Sequence, residues 1–336
     1  AMPNILLTQR CVRSCPYCFA RKHMTESPPD DVMSWENIVY LADLLEAAGE
    51  RRASLLGGEP TLHPAFNDIV AYFLGRDFGV TVFTSGIMSD AKLEDAQRRF
   101  TGLPEDRLTF ICNLNDPAQT RTSLAEQESL KRFLRAFTDR IIPGLNIYRT
   151  DFELDFLFQA INEYGLRRTF RVGIAHPIVG KKNRFIALED IDAVIRRLFS
   201  YAPVMERLRI KPGLDCGFPM CRFSDAELGW LSRHMGRDYD FGCGPVVDIG
   251  PDMSVWSCFP LSGVQKRSLF EFDSLGQVHD HYREFHQKVR TEAGGIYGDC
   301  DECKFRDDEI CMGGCLAHSL AKFQHEAPLR MGEMYL

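Results

Sequence analysis

The sequence predicts an α/β fold: a partial (β/α)6 TIM-like barrel followed by a cysteine-rich C-terminal extension. Three observations predict it. Short apolar runs alternate with amphipathic stretches six times in the first two-thirds of the 336 residues. Polar and glycine-rich residues fall just after the apolar runs, where α/β folds gather their chemistry. Beyond Lys211 this rhythm stops, and eight of the twelve cysteines follow. Strands alternating with helices imply a parallel sheet with right-handed crossovers. Six units, where a closed barrel has eight, leave the barrel open. Two domains are therefore expected, residues 1–210 and residues 211–336.

The elements follow in order. Residues 4–7 form the first strand, which ends at a cysteine cluster. Residues 34–48 form a helix, with Ser34 able to cap its first free N–H groups. Residues 53–56 are the second strand, 64–74 the next helix and 80–84 the third strand. Residues 91–100 read as a helix, 108–112 as the fourth strand and 124–137 as a helix. The series continues with a strand at 145–148, a helix at 152–164, a strand at 169–174 and a helix at 188–199. In the extension, helices are expected at 225–235 and 278–289.

Composition bounds the function. Hydrophobic residues are 45% and charged residues 26%, the proportions of a globular protein with a large core. The net charge is 40 − 47 = −7, the wrong sign for a broad nucleic-acid footprint, so no nucleic-acid partner is expected. The N-terminus lacks a basic segment followed by an apolar run, and no stretch of about 18 apolar residues occurs. A cytoplasmic protein with no membrane partner is expected. Its twelve cysteines come in tight clusters. Cytosolic thiols stay reduced, so clustered thiolates point to metal ahead of disulfides.

The first cluster is Cys11-Val-Arg-Ser-Cys15-Pro-Tyr-Cys18. Three thiolates within eight residues can wrap one cubane, because each sulfur approaches a different iron. A fourth iron without a cysteine is then open to a small molecule. The alternatives are three core cysteines, or zinc with His23 as fourth ligand. The pattern Cys-x3-Cys-x2-Cys after a first strand, with aromatic Tyr17 before the third cysteine, resembles the radical S-adenosylmethionine (SAM) signature. That resemblance implies a [4Fe-4S] cluster whose open iron binds SAM. It implies cleavage of SAM to a 5′-deoxyadenosyl radical, which takes a hydrogen atom from substrate. It also implies an external electron donor such as flavodoxin or ferredoxin.

Gly57-Gly58-Glu59-Pro60 ends the second strand. Two glycines permit close backbone approach to a ligand, and a carboxylate there can accept from an ammonium group. Alone this reads as a tight turn. In the family it resembles, the motif positions the SAM amino group. Weaker matches follow. Thr84-Ser85-Gly86 stands where the family has a turn near SAM, with Ser85 in place of asparagine. Asn113 and Asn115 end the fourth strand, where a serine–aspartate pair is more usual. Arg149 or Arg171 could pair with the SAM carboxylate. Asn146 could meet the ribose. Cys112 reads as core packing, with a hydrogen-atom donor at the barrel mouth as the lesser reading.

The remaining cysteines run Cys216-x4-Cys221, Cys243-x14-Cys258 and Cys300-x2-Cys303-x7-Cys311-x3-Cys315. They resemble the SPASM extension of radical SAM enzymes, or its shorter twitch variant: an iron–sulfur-binding extension with one or two auxiliary [4Fe-4S] clusters. The family has a glycine where Met253 stands, five residues where this chain has seven between Cys303 and Cys311, and one more cysteine after the position of Cys315. The resemblance gives Cys243, Cys258 and Cys315 one cluster with either Cys216 or Cys221. It gives Cys300, Cys303 and Cys311 the other, with its fourth ligand open. Structural zinc near residues 300–315 is the alternative.

Three functions follow. The first is modification of a peptide or protein, such as a cross-link or oxidation of a ribosomally made peptide. In it, an auxiliary cluster accepts an electron or binds substrate. The second is modification or dehydrogenation of a small molecule. The third is a non-enzymatic iron–sulfur or zinc protein. The sequence starts at its first strand, with no recognition domain expected ahead of the barrel, which counts slightly against a peptide. Sulfatase-maturing relatives carry an aspartate directly after one auxiliary cysteine. Here Phe259 follows Cys258, which disfavours that activity.

Overall fold

A computed structural model describes residues 2–18, 28, 31–117, 122–235 and 241–326. One sheet of ten strands organises them. The strands are β1 (Asn4–Leu6), β2 (Arg52–Leu56), β3 (Gly79–Thr84), β4 (Leu108–Asn113), β5 (Ile141–Ile147), β6 (Thr169–Ile174), β7 (Lys211–Leu214), β8 (Val247–Ile249), β9 (Ser254–Ser257) and β10 (Arg267–Ser268). Their order is β10-β9-β8-β1-β2-β3-β4-β5-β6-β7. β1 to β7 are parallel, and β8 lies parallel to β1. β9 and β10 run antiparallel. The fold is the expected α/β partial barrel.

The helices are α1 (Trp35–Ala47), α2 (Phe66–Gly75), α3 (Asp90–Phe100), α4 (Leu124–Phe137), α5 (Asp155–Tyr164), α6 (Ile191–Ser200), α7 (Ala202–Leu208), α8 (Asp225–Met235), α9 (Leu275–Ala293), α10 (Lys304–Asp307) and α11 (Leu316–Glu326). Local chemistry starts several of them. The Ser34 hydroxyl accepts from Asn37 N at 3.2 Å. Ser123 and Glu126 make a reciprocal capping box on α4. Each such cap contributes on the order of 1 kcal/mol. α4 buries Phe133 and Phe137 against Phe110 of β4, with ring centroids 4.6–5.3 Å apart. No helix among the described residues is long and apolar enough to cross a membrane.

The structure differs from the sequence reading in several places. β5 runs from Ile141 to Ile147, not 145–148, and includes Pro143 and Gly144. Gly144 packs close to the neighbouring strand: a Cβ there would come 2.9 Å from Asn113 Oδ1. The helix expected at 278–289 runs from Leu275 to Ala293, capped by Ser274 and ended by Gly294 at φ 68°. The expected 188–199 helix is a 3-10 turn, Leu188–Asp190, leading into α6. Finally, β7 and β8 extend the sheet past residue 211 at both ends. Their lengths of four and three residues are too short to show a period.

The inner face of the sheet carries its own small apolar group. Leu6, Leu56 and Trp256 pack there with Phe83 and Phe259. Arg171 reaches from β6 over the Phe83 ring, 5.5 Å from its centroid, and pairs with Asp215. Asp248 of β8 accepts from Asn4 Nδ2 at 2.7 Å, and Asn4 in turn accepts from the Ser54 hydroxyl at 2.8 Å.

Candidate active site

The cluster loop is tied to the second strand by backbone. β1 runs on through Thr8 to Arg10, and Gly58 N donates to Thr8 O at 2.8 Å. Glu59 N donates to Arg10 O at 2.7 Å. A Cβ on Gly57 would lie 2.2 Å from Thr8 O, and one on Gly58 2.2 Å from Arg10 O. The two glycines therefore admit the chain's own cluster loop, a closer neighbour than any ligand. The sequence reading gave them only a ligand to approach.

Glu59 is 1% exposed. Its Oε1 accepts from Thr61 N at 3.3 Å, the Thr61 hydroxyl at 2.9 Å and the Thr84 hydroxyl at 2.7 Å. Its Oε2 accepts from Ser85 N at 2.7 Å and the Ser85 hydroxyl at 2.5 Å. Five donors occupy a carboxylate with about four lone-pair sites. Glu59 thus stitches the end of β2 to the turn after β3. The sequence reading gave no role to Thr84, which lies within the Thr84-Ser85-Gly86 turn it picked out, or to Thr61, which directly follows the Gly57–Pro60 motif.

The cysteine loop meets the ends of β4 and β5. Asn115 Nδ2 donates to Cys15 Sγ at 3.6 Å, and Asn115 Oδ1 accepts from the Tyr17 hydroxyl at 2.7 Å. The Tyr17 ring lies 5.1 Å from Tyr148. Arg13 donates to Asn113 O at 3.2 Å. Asn115, Asn146, Tyr148, Arg149 and Phe152 line one cavity beside this group. Arg149 pairs with Asp151, which holds its guanidinium pKa above the ordinary value. Burial pushes the Cys11 thiol up to about 12, with Glu59 and the other two thiols adding to the rise. Converging buried thiols resist ionisation until a cation offsets their charge. His23 lies outside the described residues.

Two expected residues stand elsewhere. Arg171 is not at the cysteine loop: it crosses the inner face of the sheet to Asp215 and Phe83. Cys112 is wholly buried between β4 and α4, and a Cβ on Gly86 would contact its sulfur, Leu130 and Phe133 together. Burial raises its thiol to about 12. This is a packing position on the helix side of the sheet, and it does not support the hydrogen-donor role.

The eight C-terminal cysteines fall into two sets of four. Cys258 is within electrostatic reach of Cys315, Cys243 and Cys216, and Cys243 of Cys315. Cys221 feels Cys311, Cys300 and Cys303, and these four line one cavity with Tyr297, Phe305 and Arg306. Burial is the largest cause raising Cys258 and Cys300. None of the twelve cysteines is in a disulfide. Among the described residues, no three Cys, His, Asp or Glu side chains stand close enough to hold a single metal ion. Thiolates around a cubane bind different irons, so they converge more loosely. Met253, at the family's glycine position, takes φ 61°, the left-handed shape that glycine favours.

Residues 5–165 match the family model described as the radical SAM superfamily. This segment is a radical SAM domain. It spans β1 to α5 and includes the three-cysteine loop, the Glu59 network and the lined cavity. Such a domain implies a [4Fe-4S] cluster and SAM. Mitochondrial GTP 3′,8-cyclase of Arabidopsis thaliana is 37% identical over 207 residues, 61% of this chain and 51% of that protein. Molybdenum cofactor biosynthesis protein 1 of Mus musculus is 37% identical over 88 residues, 25% of this chain. The chain covers 14% of that mouse protein and about half of the Arabidopsis one. Streptococcus suis SuiB bound to S-adenosylmethionine superposes with TM-score 0.66 and 16% identity, covering 94% of this chain and 73% of SuiB. Native anSMEcpe with bound AdoMet gives 0.65 and 14%, covering 99% and 98%. These structural likenesses show that the fold is shared.

Proposed function

We propose that this chain is a radical SAM enzyme with two auxiliary [4Fe-4S] clusters, acting on a peptide or protein. Cys11, Cys15 and Cys18 would hold the cluster that binds SAM. The observation that carries this reading is the lacing of the three-cysteine loop to both the Gly-Gly-Glu turn and Asn115. When bound, these groups supply a 5′-deoxyadenosyl radical that takes a hydrogen atom from substrate, with one-electron acceptors at the auxiliary sites.

The chain's own residues prepare the site. Asn115 orients Cys15 and Tyr17 together. Glu59 holds the Thr84–Gly86 turn at a fixed height above the sheet. Asn146 and Arg149 give the neighbouring cavity amide and cationic donors for the polar groups of SAM. Arg171 and Asp215, each about one-third exposed at the side chain, face the lumen and suit the charged or amide groups of a substrate. Asn113 adds a buried Oδ1 without a partner among the described residues. Exposed Val12 and Phe185, on the loops after β1 and β6, give an apolar rim for an extended chain. Residues 1–210 would form the SAM-binding unit and residues 211–336 the auxiliary unit.

A small-molecule substrate is the second reading. It is favoured by the sequence similarity to proteins named GTP 3′,8-cyclase, from Arabidopsis thaliana and Listeria monocytogenes. One experiment tests the common core. Reduced, iron-reconstituted protein should release 5′-deoxyadenosine from SAM, and Cys15→Ala should lose that activity. Equal release by Cys15→Ala would refute it. Acceleration of the release by a peptide pool or by GTP separates the two substrate classes.

A further inference from the structure

Resting on the auxiliary-cluster reading above, we infer that Cys221 is the fourth ligand of the second auxiliary cluster. The two auxiliary sites are then adjacent, each is closed by four cysteines, and neither presents an open iron.

Two observations place Cys221. Its thiol is within electrostatic reach of Cys300, Cys303 and Cys311. The same four residues line a single cavity. Cys216, only five positions earlier, belongs to the other set through Cys243 and Cys258. The intervening chain is fixed. Gly217 takes φ 99°, and a Cβ there would lie 2.2 Å from the His176 ring. Phe218 is 2% exposed. Its ring packs 6.2 Å from Phe223. This segment delivers one thiol to each set.

A second segment does the same. Cys311 belongs to the set with Cys221, and Cys315 to the set with Cys243. Between them Gly313 and Gly314 take φ 78° and 79°, a left-handed pair that turns the chain. A Cβ on Gly314 would lie 2.4 Å from Ile296, so the turn is tightly packed. Four residues of extended chain span at most about 14 Å, so the ligand shells of the two sets are neighbours. Two shared segments, crossing from set to set, make the pair one built unit. A cluster with all four irons held by thiolate has no position for substrate, so what this unit can supply is electron transfer.

The test reads the clusters directly and does not depend on turnover. In a Cys11→Ala, Cys15→Ala, Cys18→Ala chain, reconstitution should give about eight irons and two reduced-cluster signals in electron paramagnetic resonance. Adding Cys221→Ala should change one signal and, on oxidation, produce a three-iron signal. Adding Cys216→Ala should change the other signal. Cys221→Ser provides the same comparison if the alanine variant does not fold. In the unsubstituted chain, excess imidazole or cyanide should leave both auxiliary signals unmoved. The inference is overturned if Cys221 substitutions change neither signal, if Cys216 and Cys221 act on the same signal, or if added ligand shifts an auxiliary signal. Uptake of only about four irons by the triple variant would instead sink the two-cluster reading, and the closure with it.

Discussion

Glu59→Gln is the most informative single substitution in the radical SAM domain. By resemblance, Glu59 was expected to accept from the SAM ammonium. The structure gives its two oxygens five donors from the chain itself, at 1% exposure. A glutamine must turn one position into an NH2 group. At Oε2 that group would face Ser85 N–H, 2.7 Å away, donor against donor. At Oε1 it would face Thr61 N–H and two hydroxyls, of which only the hydroxyls can turn. The amide therefore settles with its oxygen toward Ser85 and loses the Thr61 N–H bond. Hydrogen bonds to an ionised group contribute about 1.5–3 kcal/mol and neutral ones about 0.5–1.5. Removing a buried charge offsets part of the loss. A net destabilisation of about 2–3 kcal/mol follows, or roughly 3–4 °C in Tm for a chain of this length. SAM affinity should fall about tenfold, or 1.4 kcal/mol, because the Thr84–Gly86 turn moves. Calorimetry and SAM titration on reconstituted protein check both. Thr84→Val should reproduce part of each effect. If SAM affinity fell while Tm stayed unchanged, and Thr84→Val were silent, Glu59 would be a direct ligand and the stitching argument would fail.

Two further outcomes are expected. Asp248 is wholly buried, and burial raises its pKa from 3.8 to about 7. Its folded pKa is raised, so its contribution is present at low pH and lost as pH rises from about 4 to 7. Asp248→Asn should therefore stabilise the protein at pH 8 by about 1–3 kcal/mol, a gain that disappears by about pH 5. A pH-independent effect in thermal melts would contradict this. Cys112→Ala should cost on the order of 1–2 kcal/mol, as a small core truncation, and keep both SAM cleavage and product formation. Product loss with SAM cleavage intact would restore the hydrogen-donor role.

Much of the barrel was legible because its elements are long enough to show a period. Residues 124–137, 169–174 and 225–235 were read to the residue. The failures have physical causes. β8 has three residues and pairs with β1 across more than 240 positions of sequence, which no local pattern encodes. The Gly57-Gly58 pair was rightly read as a place of close approach, but sequence cannot name what approaches. Arg171 was read toward SAM because it lies in a late strand. Its partner Asp215 belongs to the next strand and could be found only by register. Met253 looked like a departure from the glycine pattern. The backbone keeps the glycine-like conformation, and the side chain meets its steric cost within the core.

The six-unit rhythm left a barrel with two open ends of sheet, and the first cysteine set bears on that opening. Cys216 follows β7, the last strand at one end of the sheet, and Cys258 follows β9, next to last at the other. The two are close enough to feel each other's charge. Val179, on the loop after β6, donates to Pro260 O just past Cys258 at 3.0 Å. Cys315, at the start of α11, and Cys243 complete the set, and Arg290 of α9 donates to Cys243 O. Four segments distant in sequence thus meet where the sheet fails to close. A group held by these thiols would hold the two ends of the sheet together, so metal occupancy and closure are linked. Loss of product in a Cys258→Ala protein would report lumen shape as well as electron transfer. Cys221, Cys300, Cys303 and Cys311 line a cavity of their own, so substitutions there test electron transfer apart from closure of the sheet.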